Sequence, residues 1–149
     1  MNKVTFSEQA MQFQRCILPI SSQFHAVVGQ QVIQAGLAET CSSVTINFRD
    51  TSYSVETGGY HPVEVSVIKG DKEKWCINYI TDFAYFGLGF PELDRDIDFD
   101  IGNNMAFATG IGWQNINSSG FVELYRVWEN NFLAYLDMDA FDEIIVSPH

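Results

Sequence analysis

Residues 44–69, VTINFRDTSYSVETGGYHPVEVSVIK, constrain the fold more than any other stretch of the chain. Val44, Ile46 and Phe48 alternate with Thr45, Asn47 and Arg49, and Val63, Val65 and Val67 alternate with Glu64 and Ser66. Successive side chains of an extended strand point to opposite faces, so the pattern predicts two half-buried strands that share one apolar layer. A minimal hairpin closes with about two to five residues, whereas a loop of ten, 50–59, lies between this pair. The excess is loaded with Asp50, Tyr53, Glu56, Gly58 and Gly59, and it marks a plausible binding surface.

The rest of the chain supplies what such a pair must pack against. Pro19, Ser21 and Ser22 open a helix in which Phe24, Val28 and Val32 fall on one face, with Gly36 where a left-handed C-terminal residue belongs. Ser7 is placed to cap a short helix carrying Ala10, Met11 and Phe13, and residues 1–16 read as a peripheral segment. Residues 75–86 predict a long central strand, with Trp75, Ile77, Tyr79, Phe83 and Tyr85 on one parity and Cys76, Asn78, Ile80, Asp82, Ala84 and Phe86 on the other. In the next strand Ile97, Phe99 and Ile101 alternate with Asp96, Asp98 and Asp100, which predicts an acidic solvated face, and Met105 to Thr109 predict one strand more. Asn117, Ser118 and Ser119 offer a cap for a second helix with Phe121, Leu124, Tyr125, Trp128, Phe132 and Tyr135 on its core face. Phe141, Ile144 and Val146 end the chain as a short strand. No βαβ alternation occurs, so the expected class is α+β: an antiparallel or mixed sheet of about five to six strands, with two main helices packed on one face, in a single domain.

Composition excludes several functions. Eight Lys plus Arg against 19 Asp plus Glu leave a net charge of −11, which repels phosphate backbones and anionic lipid, so neither nucleic acid nor a membrane is an expected partner. Cys16, Cys41 and Cys76 are odd in number, widely spaced and free of any CxxC, which argues against a disulfide framework or zinc ribbon. The N-terminal residues contain no long apolar run, and a cytoplasmic location is expected. The four aspartates 94, 96, 98 and 100 do not make a calcium loop: counted from Asp96, the positions that need Gly and Glu are Ile101 and Phe107. No spacing matches a closed metal site, so neither metal nor cofactor is expected.

The candidate chemistry follows from strand parity. If the valines face the helices, Asn47, Arg49, Glu64 and Ser66 share the other face, and Asn78 and Asp82 join them with Arg49 as the only cation. The ordinary reading is a cross-strand ion-pair network; the functional one is an Arg-centred site for a small anionic ligand, with Tyr53, Glu56 and Tyr60 contributed by the loop. His61 is the one plausible general base, but no serine or cysteine elbow accompanies it, so a hydrolase-like enzyme at His61 and Arg49 is the alternative to a non-catalytic binding or protein-interaction module. Apolar Phe86, Leu88 and Phe90 sit on a glycine-rich connection, which predicts contact with an unidentified protein, most simply a second copy in a homodimer, unless the loop folds back over its own core.

The runs NFRDTSYSVETGGYHPVEV and YITDFAYFG, with the late WENNFLAY, resemble a bacterial family known only as a domain of unknown function, over nearly the whole chain from Ile17 onward. The resemblance implies a compact single-domain bacterial protein carried on mobile gene cassettes. It implies no activity, cofactor or catalytic residue.

Overall fold

A computed structural model describes residues 10–149. Helix α1 (Ser22–Gln34) is followed by strands β1 (Ser43–Arg49), β2 (Val63–Lys69), β3 (Trp75–Phe86), β4 (Glu92–Asp100), β5 (Met105–Ala108) and β6 (Gly112–Asn115), then α2 (Phe121–Asp137) and β7 (Glu143–Pro148). The strands form one open sheet in the order β6-β5-β4-β3-β2-β1-β7, with every neighbouring pair antiparallel. The class is the expected α+β, with β3 at the centre, but the sheet has seven strands. The extra one, β6, has no apolar alternation; it is returned along β5 by a turn in which Gly110 and Gly112 take positive φ.

Both helices cover one sheet face. Val44, Ile46, Phe48, Val63, Val65 and Val67 from the sheet meet Phe24, Val28 and Val32 of α1 and Phe121, Tyr125, Trp128 and Phe132 of α2 in one buried cluster. Its middle is aromatic: Phe132 stacks on Trp128 with ring centres 5.0 Å apart and takes the edge of Phe48 at 5.1 Å. Helix α1 starts as expected, with the Ser21 hydroxyl accepting the Phe24 N–H at 3.1 Å. Helix α2 does not. Its N-cap is Gly120 at φ 98°, and Asn117, Ser118 and Ser119 form the turn before it, where Asn115 Oδ1 accepts the Asn117 N–H. Ser7 lies outside the described residues, and residues 10–13 are not helical: Phe13 forms a parallel bridge to Trp75.

Two β-bulges re-aim side chains, and they decide the site. Between β2 and β3, Ser66 pairs with Tyr79 but Val67 with Ile77, leaving Asn78 as an extra residue. An extra residue reverses the parity of all that follows. Trp75 and Ile77 therefore face the helices, and then Ile80, Asp82 and Ala84 do, because Asp82 pairs with the inward Val63. Between β3 and β4, Asp82 pairs with Ile97 and Phe83 with Arg95, so Asp96 is the extra residue and turns to the helix side. The acidic face expected of β4 is thus split: Asp98 is buried on the open sheet face, where burial first of all raises its pKa, and Arg95 Nε lies 3.3 Å from its carboxylate.

Candidate functional site

The long β1–β2 loop is organised by one carboxylate. Asp50 Oδ1 accepts the Ser52 N–H at 3.0 Å and the Ser52 hydroxyl at 2.6 Å, while Oδ2 accepts the Tyr60 N–H at 3.0 Å. Both ends of the loop are thereby tied to a single side chain, an Asx-type closure. Asp142, just before β7, accepts the Thr51 N–H at 2.8 Å and pins the loop from outside. The Ser52 hydroxyl, and then the Tyr60 N–H, hold the Asp50 carboxyl below its ordinary value of 3.8. A depressed folded pKa contributes stability that is present above the unfolded value and is lost as pH falls through the folded one. In an NMR titration the Ser52 and Tyr60 amide shifts are therefore expected to move together with a midpoint below 3.8; a midpoint at or above it refutes the closure.

Gly59 is required by this loop. Its φ is 132°, and a Cβ there would stand 2.8 Å from Asp50 Oδ2 and 3.1 Å from the Tyr53 Cα. Gly59→Ala is expected to cost about 2–3 kcal/mol, from a backbone region that is essentially glycine's alone and from collision with the closing carboxylate. Urea denaturation measures it, and a loss under about 0.5 kcal/mol, the usual surface value, would mean the loop has another conformation open to it.

So held, the loop delivers Tyr60 and His61 to a cleft of about 270 Å³ between α2 and β2–β4, lined also by Val63, Asp82, Asp96, Ile97, Trp128, Asn131, Phe132, Tyr135 and Phe141. His61 Nδ1 lies 2.7 Å from Asp82 Oδ1 and 3.8 Å from Asp96 Oδ2. The other oxygen of Asp82 accepts the Trp128 indole N–H at 2.9 Å. Tyr53 packs on His61 at 5.4 Å and stacks on Tyr85 at 5.1 Å, flanking the imidazole. The hydrogen bond to Asp82 raises the His61 pKa above its ordinary value, against the opposing pull of burial. An imidazole oriented by a carboxylate that is itself oriented by an indole can exchange a proton or ligate a cation at a fixed place.

Of the residues expected to share one site, Asn47, Arg49, Glu64 and Ser66 lie on the open sheet face as their register requires, but Asp82 does not join them. Asp82 is in the cleft, not beside Arg49 and Glu64, because the bulge at Asn78 puts it on the helix side. Glu64 is on the open face, where it accepts the Tyr79 hydroxyl. Arg49 is exposed at the β1 end, in a shallow groove with Asp50, Tyr53, Tyr85 and Glu143. A second cation on the open face is Arg95, whose guanidinium lies 5.3 Å from the centre of the Trp113 ring. Tyr60 lines the cleft, Tyr53 backs His61, and Glu56 stands exposed at the loop tip. Sequence reading missed Asp96 and Asn131. Asn131 had a signal, since it falls on the Trp128, Phe132 and Tyr135 stripe of α2; Asp96 had none, because the bulge that turns it follows from pairing. Phe86, Leu88 and Phe90 form the β3–β4 tip, which does not fold back: Leu88 is 102% and Phe90 92% exposed.

Among the described residues no helix is long and apolar enough to cross a membrane. Two solved structures are similar over nearly their whole length. The hypothetical protein VC0508 from the Vibrio cholerae VSP-II pathogenicity island is 40% identical, with 93% of this chain and 99% of that one covered and a TM-score of 0.86. The conserved hypothetical protein VC1805 from the Vibrio cholerae pathogenicity island VPI-2, described as sharing structural homology with the human P32 protein, is 45% identical, with 91% and 99% covered and a TM-score of 0.79. No curated protein matches the chain. Residues 22–147 match the model of a family described as "Protein of unknown function (DUF2787)", and with that match over most of its length the chain belongs to the DUF2787 family.

Proposed function

We propose that this protein is a non-catalytic binding module whose ligand enters the cleft at His61, Asp82 and Asp96. The observation behind this reading is the pre-formed chain from His61 through Asp82 to Trp128 at the back of an aromatic-walled cleft with no Ser, Thr or Cys among its described lining residues. A pocket of this kind, largely apolar with a few convergent polar groups, is the usual form of a small-ligand site, and about 270 Å³ suits a small molecule or one side chain of a partner. Among the described residues two carboxylates and no Lys or Arg line it, so the ligand brings positive charge. An anionic ligand is left to the Arg49 groove, where Asp50 and Glu143 oppose it. A thermal-shift series with alkylammonium and guanidinium compounds tests the cleft: a rise in Tm that Asp96→Asn abolishes supports it, and no shift with any cation counts against it.

A second reading, a small enzyme, draws on the His61–Asp82 pair, the arrangement of a general base and its orienting group. With no Ser, Thr or Cys among the described lining residues, His61 would have to activate water. Hydrolysis of model esters or amides that His61→Gln removes, with the fold intact, would favour it. Carriage on mobile DNA is supported by the two relatives encoded in pathogenicity islands.

The exposed tip of Phe86, Leu88 and Phe90 supports a second copy as partner, since Leu88 and Phe90 gain nothing from their own core and Phe86 is left partly exposed beside them. Light scattering is expected to give twice the chain mass for the wild type and a single mass for a Phe86→Ser, Phe90→Ser double variant. A monomeric wild type, or a variant that stays dimeric, removes this tip as the interface.

A further inference from the structure

We infer that His61, Asp82 and Asp96 bind one divalent first-row transition metal ion, which supplies the positive charge that the cleft lacks. The inference rests on reading the cleft as a ligand site and names what sits at its back.

One ligand atom from each of the three residues can be chosen so that all lie within 4.8 Å of one another. Two donors bound about 2.1 Å from one ion stand roughly 3–4.2 Å apart, from a right angle to a straight line. The observed separations of 2.7 Å and 3.8 Å about His61 Nδ1 bracket the lower part of that range, so small side-chain rotations bring these donors to bonding distance. The three groups come from three elements, and each is set by something else. Asp82 keeps one oxygen on the Trp128 indole, as an outer partner holds a ligating carboxylate, while the other, on His61 Nδ1, would exchange that hydrogen bond for the ion. The Asp96 backbone is held in its bulge by Thr109, whose N–H and hydroxyl both donate to the Asp96 carbonyl, at 2.9 Å and 3.2 Å. The Asp96 carboxylate, only 28% exposed, accepts no hydrogen bond from the described residues. A carboxylate without a protein donor, beside a second carboxylate and with no Lys or Arg among the described lining residues, offers a cation a free ligand atom.

The imidazole decides which cation. Calcium and magnesium favour oxygen donors alone, whereas a nitrogen with two carboxylates suits zinc, cobalt, nickel or manganese. Three protein donors also leave coordination positions open, where a ligand entering the cleft can complete the shell.

The full chain, stripped with a chelator, is titrated with Co²⁺ and Zn²⁺ by calorimetry and, for Co²⁺, by its visible absorption. One saturable site is expected, with Ca²⁺ and Mg²⁺ bound at least about a hundredfold more weakly. Asp96→Asn and His61→Gln are each expected to weaken binding by about tenfold or more and to alter the Co²⁺ band. Asp96→Asn is the decisive variant because its side chain holds nothing else in place. No saturable binding, or binding that neither variant changes, overturns the inference; in the second case the ion sits on the acidic surface. An alkylammonium compound titrated alongside separates the two readings. If it binds and the metal does not, the metal site alone falls; if neither binds, the cleft falls with it.

Discussion

Phe132→Ala is expected to cost about 3–4 kcal/mol and to disorganise the cleft as well. Phe132 is 2% exposed and lies at the meeting point of Trp128, Phe48, Phe24 and Phe141, with ring centres between 5.0 and 5.7 Å away. Truncating a buried aromatic ring forfeits its transfer free energy and leaves a void, together about 3–5 kcal/mol. Because this ring also lines the cleft, the void joins an existing opening and is not sealed, which keeps the cost toward the lower end. Losing its stacked neighbour frees the Trp128 indole, which is the group that holds Asp82. Urea denaturation is expected to show a lower midpoint at unchanged m, and any cleft ligand should bind the variant at least about tenfold more weakly. A loss below about 1.5 kcal/mol would mean that the aromatic cluster repacks around the gap.

Glu129→Ala is expected to cost about 2–4 kcal/mol, although Glu129 has no cationic partner among the described residues. Glu129 is buried within α2, and its Oε1 accepts both the Ser21 N–H at 2.9 Å and the Tyr125 hydroxyl at 2.8 Å. The carboxylate therefore stands at the N-terminus of α1, where the helix dipole favours negative charge, and it ties the two helices together. Removing it relieves the desolvation of one charge but orphans two donors, each costing about 1–3 kcal/mol when left unpaired and buried. The donors outweigh the relief. Glu129→Gln keeps an acceptor oxygen and is expected to lose only about 1 kcal/mol, so the alanine and glutamine variants should differ clearly in urea midpoint. Equal losses in the two would place the cost in packing instead of in the hydrogen bonds. Burial also pushes the Tyr125 hydroxyl pKa upward, so that hydroxyl stays a donor across the working pH range.

Periodicity alone determined the elements that depend on local rules. Alternation at Val44, Ile46 and Phe48 and at Val63, Val65 and Val67 placed β1 and β2, and the fourfold spacing of Phe24, Val28 and Val32 after Ser21 placed α1 with its cap. The same spacing put Phe121, Tyr125, Trp128 and Phe132 on the buried face of α2. Even the first bulge left a trace, since the inward apolar residues of β3 pass from the odd positions of Trp75 and Ile77 to the even positions of Ile80 and Ala84. A single parity carried through the whole of β3 misses that trace and puts Asp82 on the wrong side.

The site itself was decided by tertiary structure. His61, Asp82 and Asp96 come from a loop end and two strands, and they meet only because extra residues at Asn78 and Asp96 each reverse a strand's parity. A bulge is a property of a pair of strands, not of one. It is set by how the partner's hydrogen bonds and the Thr109 donors to the Asp96 carbonyl are satisfied at once, and a single strand's residue order does not encode that choice. Parity is known from sequence only up to the first such extra residue, and beyond it the face on which a side chain lies is settled by pairing in three dimensions.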